Sequence, residues 1–168
     1  MPKLCIKKPA IVWLVRLGLT LLLSHSLYGQ PLSVTLSVGS GSKIQAHLHF
    51  RNVSVKSAHL YRPFVCGDGV LRDNLFYVSV GKQKMRYTGV LAKRAGPKPD
   101  DFVTLQPYKT LSCDCELNDA YLWLPGSRVY VIYYEVEMPF ADRAGSYTLR
   151  SNQVRVRISA PSPSIRRP

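Results

Sequence analysis

From Leu32 onward the apolar residues return at every second position, and that period commits the chain to strands. Leu32, Val34, Leu36 and Val38 alternate with Ser33, Thr35 and Ser37. After a Gly-Ser turn at 39–42, Ile44, Ala46, Leu48 and Phe50 alternate with Gln45, His47 and His49. Successive side chains of a strand point to opposite faces, so each run is apolar on one side and polar on the other. Shorter strands are expected over Ala58 to Arg62 and Phe76 to Val80. A return strand carrying Met85, Tyr87 and Leu91 should follow the turn Gly81-Lys82-Gln83-Lys84. Phe102 to Leu105 and residues 110–116 read as two more strands, followed by a turn or single helical turn at Leu117 to Tyr121. Val129 to Val136 is apolar on both parities, which predicts a central strand covered on both faces. Ser146 to Ile158 closes the series. Beyond the amino-terminal segment no run of twelve residues has a helical period. About eight short strands with this turn spacing predict an all-β fold, an immunoglobulin-like β-sandwich, with a small β-barrel as the alternative.

A chain of 168 residues has room for one such domain. Residues 1–29 read as a secretory signal peptide. Lys3, Lys7 and Lys8 form a basic start, an apolar stretch runs from Ala10 to Leu23, and small residues at Ser24, Ser26 and Gly29 offer cleavage points. Arg16 divides the apolar stretch into pieces far short of the ~20 residues a spanning helix needs. The sandwich domain then covers 30–159, and 160–168 (APSPSIRRP) is expected to be a disordered, basic, Pro-rich tail. Secretion into a periplasm or the medium follows from this reading.

Charge narrows the partners. The chain carries 23 basic and 10 acidic residues, and losing Lys3, Lys7, Lys8 and Arg16 with the signal leaves about +9. Such an excess suits an anionic envelope surface or an acidic protein. Nucleic acid fits the charge but not an exported location, so it is not expected as a partner.

Three cysteines remain after the signal: Cys66, Cys113 and Cys115. Export favours a disulfide over a metal. Cys113 and Cys115 stand two apart on one strand face, a poor geometry for bonding each other. Cys66 is therefore expected to pair with one of them, closing a loop of about 50 residues worth a few kcal/mol in the chain-entropy account. The third thiol is left buried or free to link two chains. Paired Cys-x-x-Cys knuckles of structural zinc are absent. His47 and His49 share a strand face and, with His59, form a weak candidate metal set, although a solvent-facing pair is the simpler reading because Leu48 and Phe50 take the inner face. No cofactor is expected.

Catalysis finds no support in the sequence. His-Glu-x-x-His, Gly-x-Ser-x-Gly and the phosphate-binding loop do not occur. Glu135 and Glu137 share a parity, the arrangement of a general acid and base, but read better as the wet side of their strand. Asn52-Val53-Ser54 is a glycosylation sequon, relevant only in a host that modifies exported proteins.

Several segments occur in a characteristic order. They are Pro31-Leu32-Ser33-Val34-Thr35-Leu36, then Asp73-Asn74-Leu75-Phe76-Tyr77-Val78, then Met85 to Arg94 (MRYTGVLAKR), then Pro97 to Leu105 (PKPDDFVTL), then Asn118-Asp119-Ala120-Tyr121 and Leu149 to Val154 (LRSNQV). This order resembles the amino-terminal prodomain of bacterial deuterolysin-like, lysine-specific-type metalloendopeptidases, across nearly the whole chain after the signal. The catalytic half of those enzymes, with its zinc motif, is missing. Where the family pattern has a Pro-Gly-Glu-Ser turn this chain has Pro107-Tyr108-Lys109-Thr110, and Cys113 and Cys115 replace ordinary strand residues. The resemblance implies a stand-alone, non-enzymatic prodomain-like module that inhibits an exported metalloendopeptidase, or assists its folding, in trans. The contact segment expected on that reading is the extended, basic, Pro-stiffened connection with Lys93, Arg94, Pro97, Lys98 and Pro99, which loses little entropy on docking.

Overall fold

The computed structural model describes residues 30–41 and 43–160; the expected signal peptide and the tail from 161 onward lie outside the described residues. The alternating runs become strands as their pattern requires. Strands β1 (Leu32–Ser40) and β2 (Ile44–Asn52) form an antiparallel hairpin, and β7 (Thr110–Glu116) pairs with the other edge of β2. A second sheet is built on the long β8 (Gly126–Pro139), which pairs with β4 (Phe76–Val80), β9 (Ser146–Arg150) and β10 (Val154–Ala160); the two-residue β5 (Gln83–Lys84) continues it beyond β4. Strands β3 (Ala58–Tyr61) and β6 (Phe102–Leu105) form a small third sheet. Helical structure among the described residues is confined to the single 3-10 turns Arg62–Phe64 and Pro99–Asp101. The fold is all-β, made of antiparallel sheets packed around one core.

The inward residues of β2 and β8 meet in that core. The Phe50 ring packs edge-on against Tyr134, and Phe76 of β4 packs against the same tyrosine, each with ring centroids 5.7 Å apart. Leu48, Leu60, Ile132, Met138 and Leu149 fill the space around them, all essentially inaccessible to water. Burying each such side chain contributes roughly 1.5–3 kcal/mol.

The sheets curl together at one side through a bulge between β9 and β10. Arg150 lies opposite Glu135 while Val154 lies opposite Ile132, so residues 151–153 face only 133 and 134. At the extra position the Ser151 hydroxyl accepts the Tyr134 amide (3.0 Å) where a carbonyl would otherwise serve. Asn152, freed from the ladder, turns its side-chain amide to β1: its Oδ1 accepts the Leu36 N–H (2.8 Å) and its Nδ2 donates to the Leu36 carbonyl (3.0 Å). One asparagine thus satisfies an edge residue as a strand partner would. It ties the first sheet to the second.

Two expectations about the strands need correction. The return strand through Met85, Tyr87 and Leu91 stops after Lys84, because the chain turns to a different partner: the Leu122 amide donates to the Arg86 carbonyl, and Tyr87 bridges to Tyr121. Leu91 ends up exposed. Strand β8 is covered on one face only. Tyr130, Ile132, Tyr134, Val136 and Met138 point inward, while Val129, Tyr133 and Glu135 lie on the outer face. On that outer face Val129 stays exposed, and Tyr133 is shielded by neighbouring side chains instead of a second layer: it stacks on Tyr77 at 4.7 Å, and the Arg150 guanidinium lies over its ring at 4.1 Å.

Candidate functional site

The segment from Thr88 to Lys98 is the longest exposed stretch without regular structure between fixed ends. Its exposure follows from the early end of the β4–β5 hairpin, which leaves Thr88 onward without a strand partner. The near end is held by the amides of Thr88 and Gly89, which donate to the Ala120 carbonyl at 2.9 and 3.3 Å. The Tyr87 ring packs edge-on against Tyr121 and its hydroxyl donates to the Val90 carbonyl at 2.8 Å. In the middle, the Ala92 amide donates to the Arg72 carbonyl (3.1 Å). At the far end Asp101 accepts the Lys98 amide at 2.8 Å, starting the 3-10 turn that Pro99 opens.

The expected contact residues divide into two groups. Lys93, Pro97, Lys98 and Pro99 are exposed. Arg94 is largely turned inward: its guanidinium pairs with Asp73 at 2.8 Å and donates to the Arg72 carbonyl. It braces the segment. Leu91, which the sequence reading placed on a strand, instead forms with Val90 an apolar crest, the two being 68% and 64% exposed. The available signal for them was Thr88-Gly89, a turn-like break in the expected return strand.

Cys66 bonds to Cys115, with Cα atoms 5.4 Å apart. Both bonded cysteines are buried, and Cys113 stays a free, half-buried thiol on the same face of β7. Burial pushes the Cys113 thiol above its ordinary pKa, and a hydrogen bond from the Cys66 backbone offsets this only in part. A thiol so placed is a weak nucleophile.

The three histidines do not converge. His47 and His49 lie on the outer face of the first sheet, where His47 Nδ1 is 2.6 Å from Asp114 Oδ1 and His49 Nδ1 is 2.8 Å from the Ser112 hydroxyl, both partners on β7. His59 sits in the separate β3–β6 sheet beside Thr104. No group of three metal-ligating side chains gathers among the described residues. Glu135 and Glu137 are exposed; Glu135 pairs with Arg150, and Glu137 accepts hydrogen bonds from Ser146 and Thr148.

Asn52 has a structural task. It is fully buried, its Nδ2 donating to the carbonyls of Lys56, Leu105 and Gln106, and its Oδ1 accepting the Ser54 amide and hydroxyl. The nitrogen that a glycan would use is consumed by the fold. No protein-family model matches this chain, and no curated protein matches it.

Proposed function

We propose that the protein is an exported, non-enzymatic binding module similar to a metalloprotease prodomain, which docks on an exported endopeptidase through the Thr88–Lys98 segment and acts as inhibitor or folding assistant. The observation that supports this reading is an exposed segment whose ends are hydrogen-bonded to the scaffold while Val90, Leu91 and Lys93 face solvent. A loop already held at its ends and middle loses little freedom on entering a cleft. Val90 and Leu91 supply apolar area to bury, and Lys93 and Lys98 supply charge for an acidic cleft. The Cys66–Cys115 bond accords with an exported protein.

Titrating the purified protein against a deuterolysin-class endopeptidase tests the reading. Stoichiometric loss of activity is expected. A Leu91→Ala, Lys93→Ala double variant should raise the inhibition constant at least tenfold, while an Arg155→Ala, Arg157→Ala variant on the opposite edge strand should change it less than twofold. Equal effects of the two pairs refute the segment assignment.

A second reading has its own support. Lys84, Arg150, Arg155 and Arg157 lie on the outer face of the second sheet, which suits an anionic envelope surface. Binding of that kind weakens steeply between low and physiological salt, and the arginine pair above would then carry it.

A further inference from the structure

Beside the docking segment, and independent of whether it docks, the surface opens into a cavity of about 400 Å³ lined by Arg62, Arg72 and Arg94. Its remaining walls are mainly apolar, formed by Pro63, Val65, Val70 and Val103. Asp68 is the single acid in the lining, and it is already paired with Arg72. Asp73, outside the lining, is paired with Arg94 at 2.8 Å. Three cations thus line one concavity, and among the described residues Arg62 has no acidic partner; a concave surface concentrates the charge left over.

The arginines have hydrogen-bonding capacity to spare. A guanidinium carries five N–H donors. Among the described residues, Arg62 makes one long bond, from Nε to the Asp100 carbonyl at 3.4 Å, and Arg72 engages Asp68 alone through its side chain. Planar forks with free donors match carboxylates and other oxyanions.

The cavity wall is also fixed in place. The Val65 amide donates to the Arg62 carbonyl and the Gly67 amide to the Val65 carbonyl, at 3.0 and 2.8 Å. Cys66, between them, is bonded to β7 through Cys115, and the Glu116 amide donates to the Gly69 carbonyl at 3.0 Å. A rim anchored covalently and by hydrogen bonds does not need to be ordered by its ligand.

We propose that this cavity is a binding site for a small organic anion, a carboxylate borne on an apolar body such as the carboxyl end of a peptide. Arg62 and Arg72 bind the carboxylate, and Val65, Val70 and Val103 cover the apolar part. Arg94 adds charge while its bond to Asp73 holds it in position.

The test follows backbone amide resonances of the disulfide-intact protein during titration with N-acetyl-leucine, its neutral C-terminal amide and inorganic phosphate. N-acetyl-leucine should shift the amides of Val65, Gly67 and Val103 in a saturable way, with the neutral amide at least tenfold weaker. Arg62→Gln and Arg72→Gln should each reduce affinity about tenfold. Both arginines are exposed and outside the core, so a folded variant is expected, and the unperturbed resonances of β2 and β8 verify it. Equal binding of the carboxylate and its amide, or full retention in both variants, overturns the site. Phosphate binding as tightly as N-acetyl-leucine overturns the apolar half of the assignment.

Discussion

Tyr108 is the one residue other than glycine with a positive φ among the described residues, at 60°. It occupies the third position of the turn Gln106–Lys109, closed by the Lys109 amide donating to the Gln106 carbonyl at 3.1 Å. Pro107 before it fixes the second position, and this turn type demands a left-handed third residue. A side chain there costs about 1–2 kcal/mol, and Tyr108 is too exposed to recover much by packing. Tyr108→Gly removes that strain, less about 0.5–1 kcal/mol of added unfolded-state freedom. The expected result is a melting temperature about 2–4 °C higher; a fall would show that the ring contributes contacts outweighing the strain. Asn52 gives the opposite expectation. Asn52→Ala removes the buried bond to the Leu105 carbonyl and those to Lys56 and Gln106, whose carbonyls keep the Ser54 hydroxyl and the Lys109 amide as donors, at a cost of about 1–3 kcal/mol. Asn52→Asp should lose more near neutral pH, because it sets a carboxylate against those carbonyl oxygens. Urea unfolding of the two variants ranks them directly.

The elements were legible where a strand has one wet face. β1 and β2 fall where the alternation of Leu32–Val38 and Ile44–Phe50 places them, and β6 and β7 also match. The sequence misled where partner choice overrode local pattern. Met85, Tyr87 and Leu91 have strand spacing, but the backbone of Arg86 pairs with Leu122 and the chain departs from β4. Val129, Val131 and Tyr133 look like core residues, yet they lie on an outer face, where cross-strand stacking covers part of Tyr133 and Val129 stays exposed. Of the candidate site, Lys93, Lys98 and the prolines were readable as an exposed connection. The brace on Arg94 was not, because Asp73 lies 21 residues earlier and no local pattern joins them. The same departure from β4 makes Gly89 critical. A Cβ at position 89 would stand 2.6 Å from the Tyr87 hydroxyl, and that ring is held by both Tyr121 and the Val90 carbonyl. Gly89→Ala must displace the ring or the loop, at about 1–3 kcal/mol. The expected outcome is faster limited proteolysis within 88–98, with cleavage elsewhere little changed. Unaltered cleavage would mean that Tyr87 is not what holds the loop.

At the scale of the whole molecule, tyrosines couple the fold to alkaline pH. Tyr134 is enclosed in the core, its hydroxyl donating to the Phe64 carbonyl, and desolvation raises its pKa well above the ordinary 10.0. Desolvation likewise raises Tyr121, whose hydroxyl donates to the Phe76 carbonyl, and pushes Tyr147 up to about 12. The Tyr147 hydroxyl is buried without a hydrogen-bond partner, so nothing near it would support a phenolate. In each case the folded chain holds its proton more tightly than the unfolded chain does. The resulting stability is fully present below the unfolded pKa of 10.0 and is lost as pH climbs through the raised folded values. Stability against urea should therefore hold level through neutral pH and fall progressively above about pH 10. The absorbance of ionising phenols should rise in two stages. The later stage is the buried group, Tyr121, Tyr134 and Tyr147, ionising together with loss of tertiary structure. Replacing Tyr147 by Phe removes one contribution and leaves its orphan hydroxyl out of the core, so that variant should be at least as stable at pH 7 and should unfold at higher pH than the parent. A single-stage titration, or an unchanged alkaline midpoint in Tyr147→Phe, would refute the coupling.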